Sequence, residues 1–162
     1  MKDQAAANFG KFSDPLVTAK GETRATVTLE GIRTFWVNTG TLCNIACAHC
    51  YIESSPTNDA LAYVTADEVR GALDDVLAVG HPVDEVGFTG GEPFLNPAFP
   101  EMIEDVLSRG LRVLILTNAM RPMMRPRCLA ALKRLQDTHP GKMVFRVSLD
   151  HYGAEVHDAE RG

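Results

Sequence analysis

Three cysteines fall within eight residues, Cys43-Asn44-Ile45-Ala46-Cys47-Ala48-His49-Cys50, in a CxxxCxxC spacing. Thiolates are soft ligands for zinc and iron–sulfur clusters. In a reducing compartment such clustering favours a metal site over a disulfide framework. Three ligands on one short loop wrap a metal centre from one side. A cubane iron–sulfur cluster takes one cysteine per iron, so three leave one iron open. By analogy with zinc, an open position separates a catalytic site from a closed structural one. The spacing favours this reading and leaves three others in place. Zinc with His49 as fourth ligand requires adjacent residues to converge on one tetrahedral ion, whereas structural zinc loops use paired CxxC elements. An electron-transfer ferredoxin wants four cysteines per cluster. Chance clustering on a surface loop is the blandest option. The fourth cysteine, Cys128, lies in a helical stretch and reads as a small core residue.

Three further polar groups stand downstream. Gly90-Gly91-Glu92-Pro93 pairs two residues without a Cβ, which permit close backbone approach, with a carboxylate. A tight turn carrying a solvated glutamate explains this group equally well when it is taken alone. Thr117-Asn118-Ala119 reads as a turn. Ser148 and Asp150 are two apart and share one side of a strand. Arg146 has the same parity, either pointing inward or lying on a strand edge. His81 and His139 each precede proline in a loop and carry no expected chemistry. His151 and His157 lie near the end of the fourth strand, where a place at the mouth of the site is the minority reading. Met120, Met123 and Met124, with Arg121 and Arg125, follow the third strand, either to meet substrate or to pack.

These groups need elements to position them. Thr34–Asn38 is rich in aromatic and β-branched residues and reads as a strand, and the cysteine loop follows it. Thr65 and Glu68 form a capping box. Val69, Ala72, Leu73, Val76 and Leu77 then repeat at helical spacing, until Gly80 and Pro82 end the helix. A second strand runs over 83–89 and its helix over about 98–109. A third strand covers 111–117, with the near-continuous apolar run of a strand buried on both faces. A helix follows at about 126–137, then a fourth strand at 143–149 and a helix from Ala154. Strands alternating with helices imply parallel βαβ units. In such sheets sites form at the carboxyl ends of the strands, and each polar group above stands at one.

The four groups, in this order, resemble the radical S-adenosylmethionine (SAM) superfamily. CxxxCxxC after the first strand is similar to its cluster loop, Gly90-Gly91-Glu92 to its GGE motif, and Thr117-Asn118-Ala119 to its TNG-type turn with Ala in place of Gly. Ser148-Leu149-Asp150 resembles its serine-containing strand that helps seat SAM. His49 departs from the aromatic residue of many members; Tyr51 is placed to share that role. The resemblance covers residues 33 to about 161. It implies a [4Fe–4S] cluster on Cys43, Cys47 and Cys50, with SAM chelating the open iron. It implies close approach of Gly90 and Gly91 to the methionine end of SAM, Glu92 accepting from the SAM ammonium, and contacts from Asn118, Ser148 and Asp150. The implied reaction is reductive cleavage of SAM to a 5′-deoxyadenosyl radical that abstracts hydrogen from an unidentified substrate, with an electron donor such as flavodoxin or ferredoxin. The alternative is a cluster- or zinc-binding module without turnover.

The expected fold is α/β, a partial parallel βα barrel of about four of the six units of a radical SAM TIM-like barrel. Residues 1–30 are read as an N-terminal lead-in with room for one edge strand at Ala25–Leu29. Residues 31–162 are read as the core, incomplete at its C-terminus. Composition adds exclusions. The 162 residues carry 16 basic and 21 acidic side chains, a net charge of −5, which gives no electrostatic reason for nucleic acid or an acidic membrane. No apolar run approaches the ~20 residues of a bilayer span, and the first residues lack the apolar stretch expected of a signal peptide. A cytoplasmic location is therefore expected.

Overall fold

The computed structural model describes residues 13–161. The chain divides into two compact units, Met1–Glu30 and Gly31–Gly162. In the described part of the first, an antiparallel bridge joins Val17 to Thr23, and the Asp14 carboxylate accepts from the Leu16 and Val17 amides at 2.7 and 3.0 Å. Residues 25–29 form no strand. Alternation yields a strand only where a neighbour supplies ladder bonds and a face to bury, and Val27 stays 93% exposed.

The second unit follows the expected rhythm: β1 Thr34–Asn38, α1 Ala66–Ala78, β2 Glu85–Thr89, α2 Phe99–Ser108, β3 Arg112–Thr117, α3 Pro126–Thr138, β4 Met143–Val147 and α4 Ala154–Arg161. The capping box of α1 forms as its sequence requires, with Thr65 Oγ1 accepting from the Glu68 amide and Glu68 Oε2 from the Thr65 amide. Between β2 and α2 a short 3-10 turn, Pro93–Leu95, begins on Glu92. The fourth strand stops two residues early, at Val147, so Ser148 and Asp150 lie in the loop beyond it.

All four strands are parallel and lie in the order β1-β2-β3-β4. Their carboxyl ends therefore share one edge of the sheet. Side chains alternate between its faces. Val37, Val86, Phe88, Val113 and Ile115 pack with α1, α2 and α3 in one core. Phe99 anchors it, meeting the Phe88 and Phe94 rings edge-to-face at centroid distances of 5.1 and 5.0 Å. Cys128 is buried in this core. The other face carries Trp36, Gly87, Leu114 and Val144, with Trp36 and Val144 about half exposed. The result is an α/β fold, a partial parallel βα barrel. Among the described residues no helix is long and apolar enough to cross a membrane.

The turn after β3 carries backbone strain. Ala119 adopts φ +55°, held there by its own amide donating to Thr117 Oγ1 at 2.9 Å and the Met120 amide donating to Asn118 Oδ1 at 3.0 Å. A left-handed residue with a Cβ costs roughly 1–2 kcal/mol, partly offset by the extra freedom glycine has in the unfolded chain. Ala119→Gly should therefore stabilise the protein by about 0.5–1 kcal/mol, read as a rise of a few degrees in a thermal melt; an unchanged or lower melting temperature would contradict the strain.

Candidate metal and cofactor site

The cysteine loop is fixed at both ends. At its start, Thr39 donates through its amide and hydroxyl to the Thr89 carbonyl. The Cys43 amide donates to the Ser55 carbonyl at 3.0 Å. At its far end, the Cys50 amide donates to the Cys47 carbonyl at 3.3 Å and the Ser54 amide to Cys50 Sγ at 3.2 Å. Cys43 is buried, and Cys47 and Cys50 are half-buried. Burial pushes the Cys43 thiol up, against the lowering effect of the Ile45 amide.

The loops after all four strands open onto one cavity of about 490 Å³, within the usual size of small-molecule sites. Cys43, Cys47 and Cys50 line it from the first loop, Gly90 and Gly91 from the second, and Asn118 from the third. Ser148 and Asp150 line it from the fourth, and Glu160 and Arg161 reach it from α4. The expected residues are thus brought together, with one exception: Glu92 is absent from the lining. It is 1% exposed and bonded to protein. Its oxygens accept from Thr117 Oγ1 at 2.8 and 3.0 Å, from the Asn118 amide at 2.9 Å and from the Phe94 amide at 3.2 Å.

The glycines also have a second reason for their identity. A Cβ on Gly90, whose φ is +129°, would stand 2.6 Å from the Gly40 carbonyl oxygen, and one on Gly91 would stand 2.1 Å from that of Leu42. Their amides and those beside them continue the ladder, Gly91 donating to Gly40 at 2.9 Å and Glu92 to Leu42 at 3.1 Å. The close approach that requires glycine is to the cysteine loop's own backbone. Asn118 reaches the same loop, donating to Asn44 Oδ1 at 3.0 Å and to Cys43 Sγ at 3.8 Å. Tyr51 is 99% exposed and does not line the cavity, while His49 and His151 do. Arg146 is exposed and does not line it.

The family model described as the radical SAM superfamily matches residues 37–162. The chain belongs to the radical SAM superfamily. It is 38% identical over 120 residues to the antilisterial bacteriocin subtilosin biosynthesis protein AlbA of Bacillus subtilis (strain 168), covering 74% of this chain and 25% of AlbA. To the AdoMet-dependent heme synthase of Methanosarcina barkeri (strain Fusaro / DSM 804) it is 32% identical over 120 residues, covering 74% of this chain and 32% of that one. The chain thus spans about a quarter to a third of the length of these curated relatives. Among solved structures, Streptococcus suis SuiB bound to S-adenosylmethionine superposes with a TM-score of 0.62 at 15% identity, over 78% of this chain and 27% of SuiB. That likeness is one of fold.

The radical SAM wall can be tested against a cluster and SAM from its own atoms. The donor set is three soft thiolates on one loop. Among the described residues no three His, Cys, Asp or Glu side chains converge on a point that could hold a single ion, and a cluster with one thiolate per iron needs no such convergence. Two buried side-chain atoms of lining residues lack a hydrogen-bond partner, Ser54 Oγ and Arg161 Nε. Arg161 Nε lies 2.5 Å from Asp150 Oδ2, an ion pair by distance without the alignment of a hydrogen bond. Ser54 Oγ is left without a partner, and an unsatisfied buried polar group costs about 1–3 kcal/mol, so this wall suits a polar occupant. The residues fit the group.

Sequence reasoning missed Ser54, Glu160 and Arg161. No local pattern marks them: Arg161 meets Cys47 Sγ across 114 residues, at 3.6 Å.

Two outcomes follow from this wall. Gly91→Ala forces the Leu42 backbone to move and should destabilise by about 1–3 kcal/mol, whereas Gly71→Ala, with open space at its Cβ on α1, should stabilise by about 0.5–1 kcal/mol; chemical denaturation of the pair reads both. Burial lifts the Glu92 carboxyl above its ordinary value of 4.5, against the opposing hydrogen bonds from Asn118, Thr117 and Phe94. The folded state then binds this proton more tightly than the unfolded one. The stability it contributes is whole below the unfolded value and is lost as pH rises through the folded one. Glu92→Gln has no such titration. Parent stability minus that of the variant should fall as pH rises above the ordinary carboxylate range, and a difference that grows with pH would contradict the direction.

Proposed function

We propose that this chain is the cluster- and SAM-binding part of a radical SAM enzyme. One observation carries the reading: the three-cysteine loop opens onto the same cavity as the loops after β2, β3 and β4. Cys43, Cys47 and Cys50 are the ligands, and each must release its proton to bind. Burial, which raises the Cys43 thiol, opposes that release. When bound, the cluster and SAM supply reductive cleavage of SAM to a 5′-deoxyadenosyl radical that takes hydrogen from a substrate.

Gly90, Gly91, Asn118, Ser148 and Asp150 form the SAM wall in this reading. With no Cβ on the two glycines, the wall after β2 offers SAM bare backbone. Ser148 and Asp150 offer a hydroxyl and a carboxylate to its polar groups. We assign Glu92 a positioning role, because its carboxylate holds Thr117 and Asn118 and Asn118 in turn reaches Cys43 and Asn44. An external one-electron donor of the flavodoxin or ferredoxin kind and a cytoplasmic setting complete the proposal. The 38%-identical relative is a bacteriocin biosynthesis protein, which supports a peptide as substrate class.

Anaerobic reconstitution tests the reading. The parent should bind about four irons per monomer. Cys43→Ala, Cys47→Ala and Cys50→Ala should each abolish this, and Cys128→Ala should not. Methionine and 5′-deoxyadenosine should appear with dithionite and SAM. Zinc without iron would replace the proposal with a structural zinc module, and a cluster without SAM cleavage would make the chain a binding module without turnover.

A further inference from the structure

The three thiolates receive different donors. Cys50 Sγ accepts from the Ser54 backbone amide at 3.2 Å and Cys43 Sγ from the Asn118 side-chain amide at 3.8 Å. Both donors are neutral. Cys47 Sγ accepts from Arg161 Nη1 at 3.6 Å, a cationic donor. The Arg161 side chain is 19% exposed, while Asp150, the carboxylate that faces it at 2.5 Å, is 46% exposed. Water therefore screens the counter-charge more than the guanidinium.

Arg161 is also held close by its own helix. The last turn of α4 is tied to the cysteine loop, with the Ala48 amide donating to the Glu160 carbonyl at 3.0 Å and His49 Nε2 standing 3.4 Å from Glu160 Oε2. The guanidinium reaches Cys47 from a segment anchored to the residue beside it.

We infer that Arg161, oriented by Asp150 and the last turn of α4, is a positioning residue that raises the reduction potential of the cluster through Cys47. This rests on the cluster-binding reading above. Reduction adds one electron from an external reductant, and the cluster becomes more negative. A cationic donor on a ligand sulfur favours the more negative state, since charge-assisted hydrogen bonds are roughly twice as strong as neutral ones. Hydrogen bonds to the sulfurs and solvent exposure are recognised determinants of cluster potential. No proton moves in this step, because the guanidinium is charged in both states.

The test is a redox titration with dithionite, followed by electron paramagnetic resonance, on the reconstituted full chain. Parent, Arg161→Gln, Arg161→Lys and Arg134→Gln are compared, each with its iron content. Arg134 pairs with Glu104 on the exposed helical surface and controls for loss of one positive charge. Arg161→Gln should keep its iron while its midpoint moves negative, by on the order of tenfold in the reduced-to-oxidised ratio, or about 59 mV for one electron. Arg161→Lys should retain part of the parent value, and Arg134→Gln all of it. A midpoint in Arg161→Gln equal to the parent's, or an equal shift in Arg134→Gln, overturns the inference. Loss of iron from Arg161→Gln also overturns it and assigns Arg161 to holding the loop. A parent that binds no iron sinks the cluster reading itself, and this inference with it.

Discussion

A single buried glutamate, through its amide and its carboxylate, joins three of the four loops that wall the cavity. Glu92 leaves β2 with its amide on the Leu42 carbonyl of the cysteine loop, and its side chain takes the Thr117 hydroxyl and the Asn118 amide at the end of β3. It does this 1% exposed, where an ionised group without partners is far too costly to keep. The donors from two elements are what make its burial tolerable, so the carboxylate and the loop geometry require each other. The cysteine loop is positioned through this arrangement.

The glycine pair acts in the same system. Parallel strands in register bring Asn38 opposite Thr89, and the two chains stay in contact beyond their strands, from Thr39–Thr89 to Gly91–Gly40 and Glu92–Leu42. Side chains at Gly90 or Gly91 would collide with that neighbouring backbone. The motif thus packs the loop after β2 onto the loop that carries the cysteines, while its open side faces the cavity. One pair of residues serves both, because a residue without a Cβ presents bare backbone in both directions.

On the far side the wall is held by charge rather than by backbone pairing. Asp150 beyond β4, Arg161 on α4 and Cys47 on the cysteine loop lie in sequence across the cavity. α4 buries none of its own residues and is tied in by these contacts, by Ala48–Glu160 and by the Asp150 amide donating to His157 Nδ1. The cysteine loop is therefore clamped between a buried, neutral-donor side at Cys43 and a cationic side at Cys47.

The sequence by itself determined the elements and their order. Thr34–Asn38 and Pro126 are element boundaries in both readings, and the Thr65–Glu68 box starts α1, because period and capping act within a few residues. It also placed four polar groups at four strand ends, since parallel strands put every carboxyl end on one edge. Only the tertiary structure decided which way those groups face. Glu92 turns into the protein because Thr117 and Asn118 arrive from 25 and 26 residues away. Asp150 meets Arg161, and Arg161 meets Cys47, through a helix whose local pattern carries no sign of it. Ala25–Leu29 alternates like a strand yet forms none, having no ladder partner. Ala119 occupies a left-handed position that local preference gives to glycine. In each case the deciding contact joins segments distant in sequence, and a local pattern encodes an element's period but not the direction of a side chain at its end.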